Sequence, residues 1–285
     1  MIDLHTHSTA SDGLFAPGEL INYAASKGIS VIALTDHDTT SGLFEAEAAA
    51  KNNGITFIPG VELNIQWYSG EFHLLGLGLK KFSPDFVQII RELQNSRETR
   101  NEQIIQKMRS YGFSVCLDDI KNISVSQSIG RPHFASYMVK NHIVKNRQQA
   151  FDRYLAKNRP WYVPHEGIDL DRAIAAIKES YGLPVLAHPL SLYISWGKLE
   201  PVLQNLHTRG ICGLEAWHPG ARMAECVRLE ELARKLGFFV TAGSDFHGEG
   251  IRADRKIGYT SGNKIIEDRF WTDDLEPHLL SVKER

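Results

Sequence analysis

Short apolar runs recur along the chain, and most are followed by a stretch in which apolar residues return every three or four positions. Runs that are apolar on consecutive positions suit strands buried on both faces. The segments of this kind are Ile2–His5, Val31–Thr35, Phe57–Leu63, Phe72–Leu79, Pro184–Ala187, Gly213–Ala216 and Phe239–Ala242. Helical spacing runs through Gly18–Lys27, Gly42–Asn52, Asp169–Tyr181, Lys198–Arg209 and Arg222–Leu236. Gly28, Gly54, Gly182, Gly210 and Gly237 fall where a left-handed residue would close each of these helices. The alternation predicts an α/β fold, and so many strands with interposed helices suit a closed or nearly closed parallel barrel better than an open sheet.

The rhythm breaks between Ser83 and Pro160, where the chain is charged and helix-rich, with helices expected over Asp85–Tyr111, Arg131–Asn141 and Asn146–Lys157. This reads as a helical cap subdomain over residues 83–160, inserted into a barrel formed by 1–82 and 161–285. Near the end, Ile257–Tyr259 is expected to add a strand and Asn263–Arg285 a loose tail.

Metal-capable side chains cluster where these strands end. The first strand closes on His5-Thr6-His7 with Asp12 just behind, the second on Asp36-His37-Asp38, and the third supplies Glu62. His73 lies in the fourth, His188-Pro189 follows the fifth, Glu215 and His218-Pro219 come from the sixth, and Asp245-Phe246-His247 follows the seventh. In a parallel barrel the strand C-termini line one face, so these residues are expected to share one pocket. Imidazole with carboxylate suits zinc, manganese or iron, and so many ligands exceed what one ion takes. Ions spaced about 3.5–4 Å apart need a bridging carboxylate, for which Glu62 is the candidate. Residues two apart on a regular strand face opposite ways, so His5 and His7 share an ion only if the strand bends after His5. Asp38 is expected to cap the following helix.

Composition narrows the function without supplying it. The 285 residues carry 32 Lys plus Arg against 34 Asp plus Glu, a net charge of −2, which gives no bulk electrostatic pull on nucleic acid. No run approaches the roughly 20 apolar residues of a membrane span, and Met1-Ile2-Asp3-Leu4-His5 is no basic-then-apolar leader, so a cytoplasmic protein without a membrane partner is expected. Cys116, Cys212 and Cys226 form no Cys-x-x-Cys pair, which indicates neither a disulfide framework nor a thiolate zinc site. There is no Gly-x-Ser-x-Gly elbow and no phosphate-binding glycine loop, so metal-assisted hydrolysis has no strong rival.

Taken in order, His5-x-His7, Asp12, Thr35-Asp36-His37-Asp38, Gly60-Val61-Glu62, His73, Ala187-His188-Pro189 and Ser244-Asp245-x-His247 resemble the polymerase and histidinol phosphatase (PHP) superfamily. Gly130-Arg131-Pro132-His133 in the insertion is similar to the branch that hydrolyses nucleoside phosphates. The resemblance implies a distorted seven-stranded β/α barrel with a trinuclear metal centre. Carried over position by position, His5, His7, Glu62 and Asp245 would hold one ion, and Asp12, His37 and His247 a second. Glu62 would bridge to a third held also by His73 and His188. Asp12 stands where other branches often have histidine, which hardens the second site and brings manganese forward, with magnesium, iron or zinc as alternatives.

A phosphoesterase of this kind attacks phosphorus with metal-activated hydroxide. His37, Arg131 and His218 are the candidate catalytic groups, Arg131 because its planar fork suits a phosphate. Arg131, His133 and His218 are the candidate substrate contacts, with His188 preferred over His218 as the ligand of the third site. Trp67, Tyr68 and Trp217 are candidate stacking surfaces for a base. The implied substrates are small nucleotides (nucleoside 5′-phosphates or 3′,5′-bisphosphates) or short RNA attacked from its 5′ end, with no obligate protein partner. The alternatives are a histidinol-phosphate phosphatase and a non-catalytic, metal-stabilised binding module.

Overall fold

The fold comes from a computed structural model in which residues 1–123, 128–164 and 166–282 are described. Its centre is a seven-stranded sheet in sequence order: β1 (Ile2–Thr6), β2 (Val31–Leu34), β3 (Thr56–Ile65), β4 (Phe72–Leu77), β5 (Leu183–Leu186), β6 (Gly213–Trp217) and β7 (Phe239–Ala242). The sheet curls into a nearly closed barrel. At its seam the segment after β7 runs beside β1, with Asp245 N donating to His5 O (3.0 Å) and His7 N to Phe246 O (2.9 Å). Asp3 completes the seam from inside, its fully buried carboxylate accepting from Ser244 N (3.0 Å), Ser244 Oγ (2.5 Å) and Gly258 N (2.7 Å).

The barrel is not wholly parallel. β4 pairs antiparallel with both β3 and β5, while the other neighbours are parallel. A tight connection between β3 and β4 forces this reversal, since a parallel return needs a crossover of about a dozen residues or more. The reversal places the start of β4, not its end, at the rim where the parallel strands finish. His73 is the second residue of β4 and lies opposite Asn64, so it reaches the same rim as Glu62.

Around the barrel lie α1 (Pro17–Ser26), α2 (Leu43–Asn53), α7 (Leu170–Glu179), α8 (Trp196–Arg209) and α9 (Met223–Leu236). The α7 helix shows why such segments fold this way: Leu170, Ala173, Ile174 and Ile177 make one apolar stripe buried on the sheet, and Asp169 caps the start by accepting from Arg172 N (3.0 Å). Gly28, Gly54, Gly210 and Gly237 adopt positive φ at or just past helix ends, as the spacing predicted. Gly182 does not; Tyr181 takes the left-handed position (φ 63°), and Gly182 instead makes room where a Cβ would lie 2.7 Å from Leu79.

The 83–160 stretch holds α3 (Pro84–Ser110), α4 (Leu117–Lys121), α5 (Arg131–Lys140) and α6 (Arg147–Ala150), the last running into a π-helical turn over Phe151–Leu155. That turn replaces the latter half of the expected Asn146–Lys157 helix. Residues 124–127 of this stretch lie outside the described residues. Its own apolar cluster gathers Ile104, Met108, Phe134 and Met138, joined by Trp161 from just beyond the stretch, whereas Phe86, Ile89 and Leu93 at the start of α3 pack into the barrel cluster. One long helix therefore serves both cores.

The C-terminal segment is packed rather than loose. A small hairpin of β8 (Tyr259–Thr260) and β9 (Lys264–Ile265) leads to a π-helical turn (Phe270–Leu275) and α10 (Glu276–Ser281), and residues 283–285 lie outside the described ones. Phe270 and Leu275 join the barrel core, and buried Asp274 accepts from Val240 N (3.0 Å) and pairs with Arg234. A charged sequence hid this, because its few apolar anchors are spaced by neither helical nor strand periodicity. Among the described residues no helix is long and apolar enough to cross a membrane.

Candidate metal centre

The strand ends converge on one buried cluster, and the structure brings together all the ligand positions singled out from the sequence. Glu62 is its middle. Oε1 lies 2.8 Å from His73 Nδ1 and 3.0 Å from His188 Nε2. Oε2 lies 2.9 Å from His37 Nδ1, 3.3 Å from His7 Nε2 and 3.4 Å from His5 Nε2. Asp245 Oδ1 sits 3.4 Å from His7 Nε2, and Asp12 Oδ1 sits 3.2 Å from His247 Nε2 and 4.0 Å from His37 Nε2. The bend that His5 and His7 need is present: the β1–β2 register shifts between Asp3 and Thr6, and the two Nε2 atoms approach to 3.1 Å.

Groups able to share an ion are His5, His7 and Asp245; His7, Asp12, His37 and His247; and His37, Glu62 and His73. His7 and His37 each belong to two of these, so the centre is more shared than a division into separate ligand sets suggests. His188 stands at hydrogen-bond distance from Glu62 on the Oε1 side. His218 is placed differently: its Nδ1 accepts from Gly220 N (3.0 Å), which leaves Nε2–H to face Asp245 Oδ2 (3.3 Å) rather than Glu62. His247 makes the opposite choice, Nδ1 facing the Asp245 carbonyl (2.9 Å) and Nε2 turned to Asp12.

The donor set fits divalent cations. His5 Nε2 and His7 Nε2 face one another at 3.1 Å, an approach that two lone pairs make only around a proton or a cation. Glu62 Oε2 is buried without a hydrogen-bond partner, a cost that coordination removes. Burial alone would push Glu62 up, but His37, His73 and His5 outweigh it and hold the carboxyl well below its usual value. Asp12 and Asp245 are likewise held well below theirs, against burial, chiefly by His247. Burial lowers His73 and His247, yet Glu62 on the first and Asp12 on the second raise each to about 9. Burial, with His247 adding to it, drives His7 down to about 3.

Other chains resemble this one in sequence and fold. A PHP domain profile matches residues 3–157. The sequence is 32% identical over 280 residues to a 3′,5′-nucleoside bisphosphate phosphatase of Chromobacterium violaceum, covering 98% of each chain. The chain belongs to the PHP family. A 5′-3′ exoribonuclease of Haemophilus influenzae is 34% identical over 245 residues, 86% of this chain and 89% of that one. The solved structure of an amidohydrolase from Chromobacterium violaceum with bound sulfate aligns over 97% of this chain and 96% of that one, with a TM-score of 0.86 and 31% identity.

Charged and polar side chains of the 83–160 stretch come close to this cluster. Arg131 opens α5 and reaches down to Glu71 beside β4 (Nη2–Oε1 2.5 Å). His133, buried, accepts from Gly130 N through Nδ1 (2.9 Å), and burial lowers its pKa. The structure adds residues that the sequence reading passed over. Arg97 and Arg100 lie mid-way along α3, and each carries a buried Nε–H without an acceptor. Burial, with Arg97 and Arg131 close by, pushes Arg100 well below the usual arginine value. The signal for them was the polar run Gln94–Gln103, which interrupts the apolar spacing of a long helix where it crosses the site.

Two expectations fail here. Asp38 caps no helix: α2 starts at Leu43 after Gly42, and Asp38 instead pairs with Arg97 and accepts from Asn64 N (3.0 Å), tying α3 to the loop that carries His37. Trp217 is no stacking surface, because it is buried in the barrel core with Nε1 donating to Glu230 (2.6 Å). Trp67 is half-buried with its Nε1 donating to Leu192 O (3.2 Å), while Tyr68 is 72% exposed.

Proposed function

We propose that this chain hydrolyses phosphate esters of nucleotides, taking nucleoside 5′-phosphates or 3′,5′-bisphosphates, or short RNA from its 5′ end. The observation that carries the reading is a buried imidazole–carboxylate cluster centred on Glu62, whose two oxygens face His37, His73 and His188. The names of the related phosphatase and exoribonuclease supply the nucleotide class.

His5, His7, Asp12, His37, Glu62, His73, His188, Asp245 and His247 would hold divalent ions, three in this reading, with manganese favoured because Asp12 brings a hard oxygen ligand. Bound ions supply Lewis acidity and lower the pKa of a coordinated water towards neutrality. The chain's own groups do the rest. His37 lies between Glu62 and Asp12 and orients both towards the reacting phosphate. Arg131 would give two oxygens of a phosphate one N–H donor each, with Arg97 and Arg100 adding positive charge nearby. His218 keeps a proton on Nε2, next to Asp245, for the leaving oxygen, and His133, buried near Asp12, would contact the substrate. In this reading residues 83–160 act as a cap on the barrel of 1–82 and 161–285, excluding water from the bound nucleotide. The unpaired cysteines accord with a reducing, cytoplasmic setting.

A panel of nucleoside 5′-phosphates, 3′,5′-bisphosphates, 5′-phosphorylated short RNA and histidinol phosphate, assayed with manganese, tests the proposal. Release of phosphate or mononucleotide from the first three is expected, and a preference for histidinol phosphate overturns the substrate class. Arg131→Ala is expected to raise KM for the preferred nucleotide about 10- to 100-fold with a smaller change in kcat, the loss of one charge-assisted contact of about 1.5–3 kcal/mol. An unchanged KM would remove Arg131 from the phosphate.

A further inference from the structure

Glu215 is the buried carboxylate of the cluster that belongs to none of the groups able to share an ion. It lies on β6, yet it reaches across the barrel interior to His5 on β1, where Oε1 sits 3.0 Å from Nδ1. Its other oxygen, Oε2, accepts from the backbone N–H of His188 after β5 (2.9 Å). The fold makes room for this reach. A Cβ at Gly243 would lie 2.6 Å from Glu215 Oε1 and 2.3 Å from His5 Cβ, so the contact requires glycine there.

Both bonds decide what the imidazoles present to the centre. A carboxylate only accepts, so His5 carries a hydrogen on Nδ1, which leaves Nε2, facing His7 and Glu62, as the nitrogen that can ligate an ion. His188 is held at φ 25°, ψ 66°, a conformation that is strained for a residue with a side chain and persists only when its surroundings fix it. Ser191 completes the arrangement. Its hydroxyl gives its single hydrogen to Glu71 O (2.8 Å) and so accepts from His188 Nδ1–H (2.9 Å), which leaves Nε2 facing Glu62 Oε1 at 3.0 Å.

We propose that Glu215 is a positioning residue for the metal centre: its two oxygens hold His5 in one tautomer and His188 in one backbone conformation, so that both turn Nε2 towards Glu62, where they would be ready to hold an ion. The inference rests on the reading of the cluster as a metal centre. It is independent of which phosphate ester is cleaved.

Glu215→Gln keeps the size of the side chain but leaves one acceptor oxygen and an NH2 group, which cannot accept from His5 Nδ1–H and His188 N–H together. In chelator-treated protein titrated with manganese, the variant is expected to bind about 10- to 100-fold more weakly at the affected site and to retain fewer ions than wild type by elemental analysis. The 15N NMR spectrum of zinc-loaded protein should show His5 as the Nδ1–H tautomer in wild type and a mixture in the variant. A merely structural role would move neither readout. Equal manganese affinity, equal ion content and unchanged His5 shifts overturn the role of Glu215 alone. Wild type that binds no manganese overturns the metal reading and this inference with it. Circular dichroism in chelator checks folding. Should the glutamine variant fail to fold, Glu215→Asp keeps both acceptors with a shorter reach and carries the same comparison; wild-type affinity and shifts there would also overturn the role.

Discussion

Glu62→Gln is expected to remove phosphate-ester turnover, lowering kcat/KM by on the order of 1,000-fold or more while the barrel still folds. Among the described residues Glu62 is the one carboxylate within reach of five imidazoles, His5, His7, His37, His73 and His188, and its two oxygens face different histidine sets. An amide of the same shape keeps the packing but loses the charge that balances the ions. Metal Lewis acidity and water activation contribute several kcal/mol to such a reaction, each 1.36 kcal/mol being a factor of ten, which sets the expected scale. Steady-state kinetics beside elemental analysis checks the outcome: lost turnover together with lost metal is expected. Near wild-type kcat/KM would take Glu62 out of the centre of the chemistry.

That Glu62 could be singled out from the sequence follows from how a barrel is written. Strands buried on both faces are apolar throughout, so an ionisable side chain within or just beyond one is costly unless it has partners. His5, His37, His188 and Asp245 were legible for this reason, each close behind an apolar run. The direction of β4 was not, because an apolar run reads the same both ways; only the short connection from Ile65 to Phe72 carried the information. Glu215 was visible as a carboxylate on a strand, but its role depends on a reach across the barrel that no local pattern encodes. Arg97 and Arg100 were hidden by a different ambiguity, since a charged stretch of helix normally faces solvent. What distinguishes them is that Arg100 is 5% exposed, a property of the assembled site and not of the helix. Asp38 failed for a related reason: an aspartate ahead of a helix caps it by default, and here an arginine from a distant helix takes it instead.

Stripping the metals is expected to destabilise the protein as well as inactivate it. Ions that bind the native cluster and not the unfolded chain stabilise by about 4 kcal/mol per site at a free concentration 1,000 times Kd. For a domain of this size each kcal/mol moves Tm by about 2–4 °C, so a chelator should lower the melting temperature by roughly 10 °C or more and abolish hydrolysis. The loss should depend on pH in a fixed direction. Without an ion, Glu62 holds His73, and Asp12 holds His247, each protonated to about 9. Ligation requires the free imidazole, so protons compete with the metal below that value, and manganese affinity should rise as pH increases towards about 9. Differential scanning calorimetry with and without chelator, and metal titrations at two pH values, read these effects. A melting temperature and activity indifferent to chelator would remove the ions from both fold and function. A large fall in Tm, with no hydrolysis of any panel substrate by the reloaded protein, would favour the metal-stabilised binding module over the enzyme. Arg97 and Arg100, each with a buried Nε–H that lacks an acceptor, favour the opposite outcome, because an anionic substrate would satisfy donors that a purely structural centre leaves unpaired.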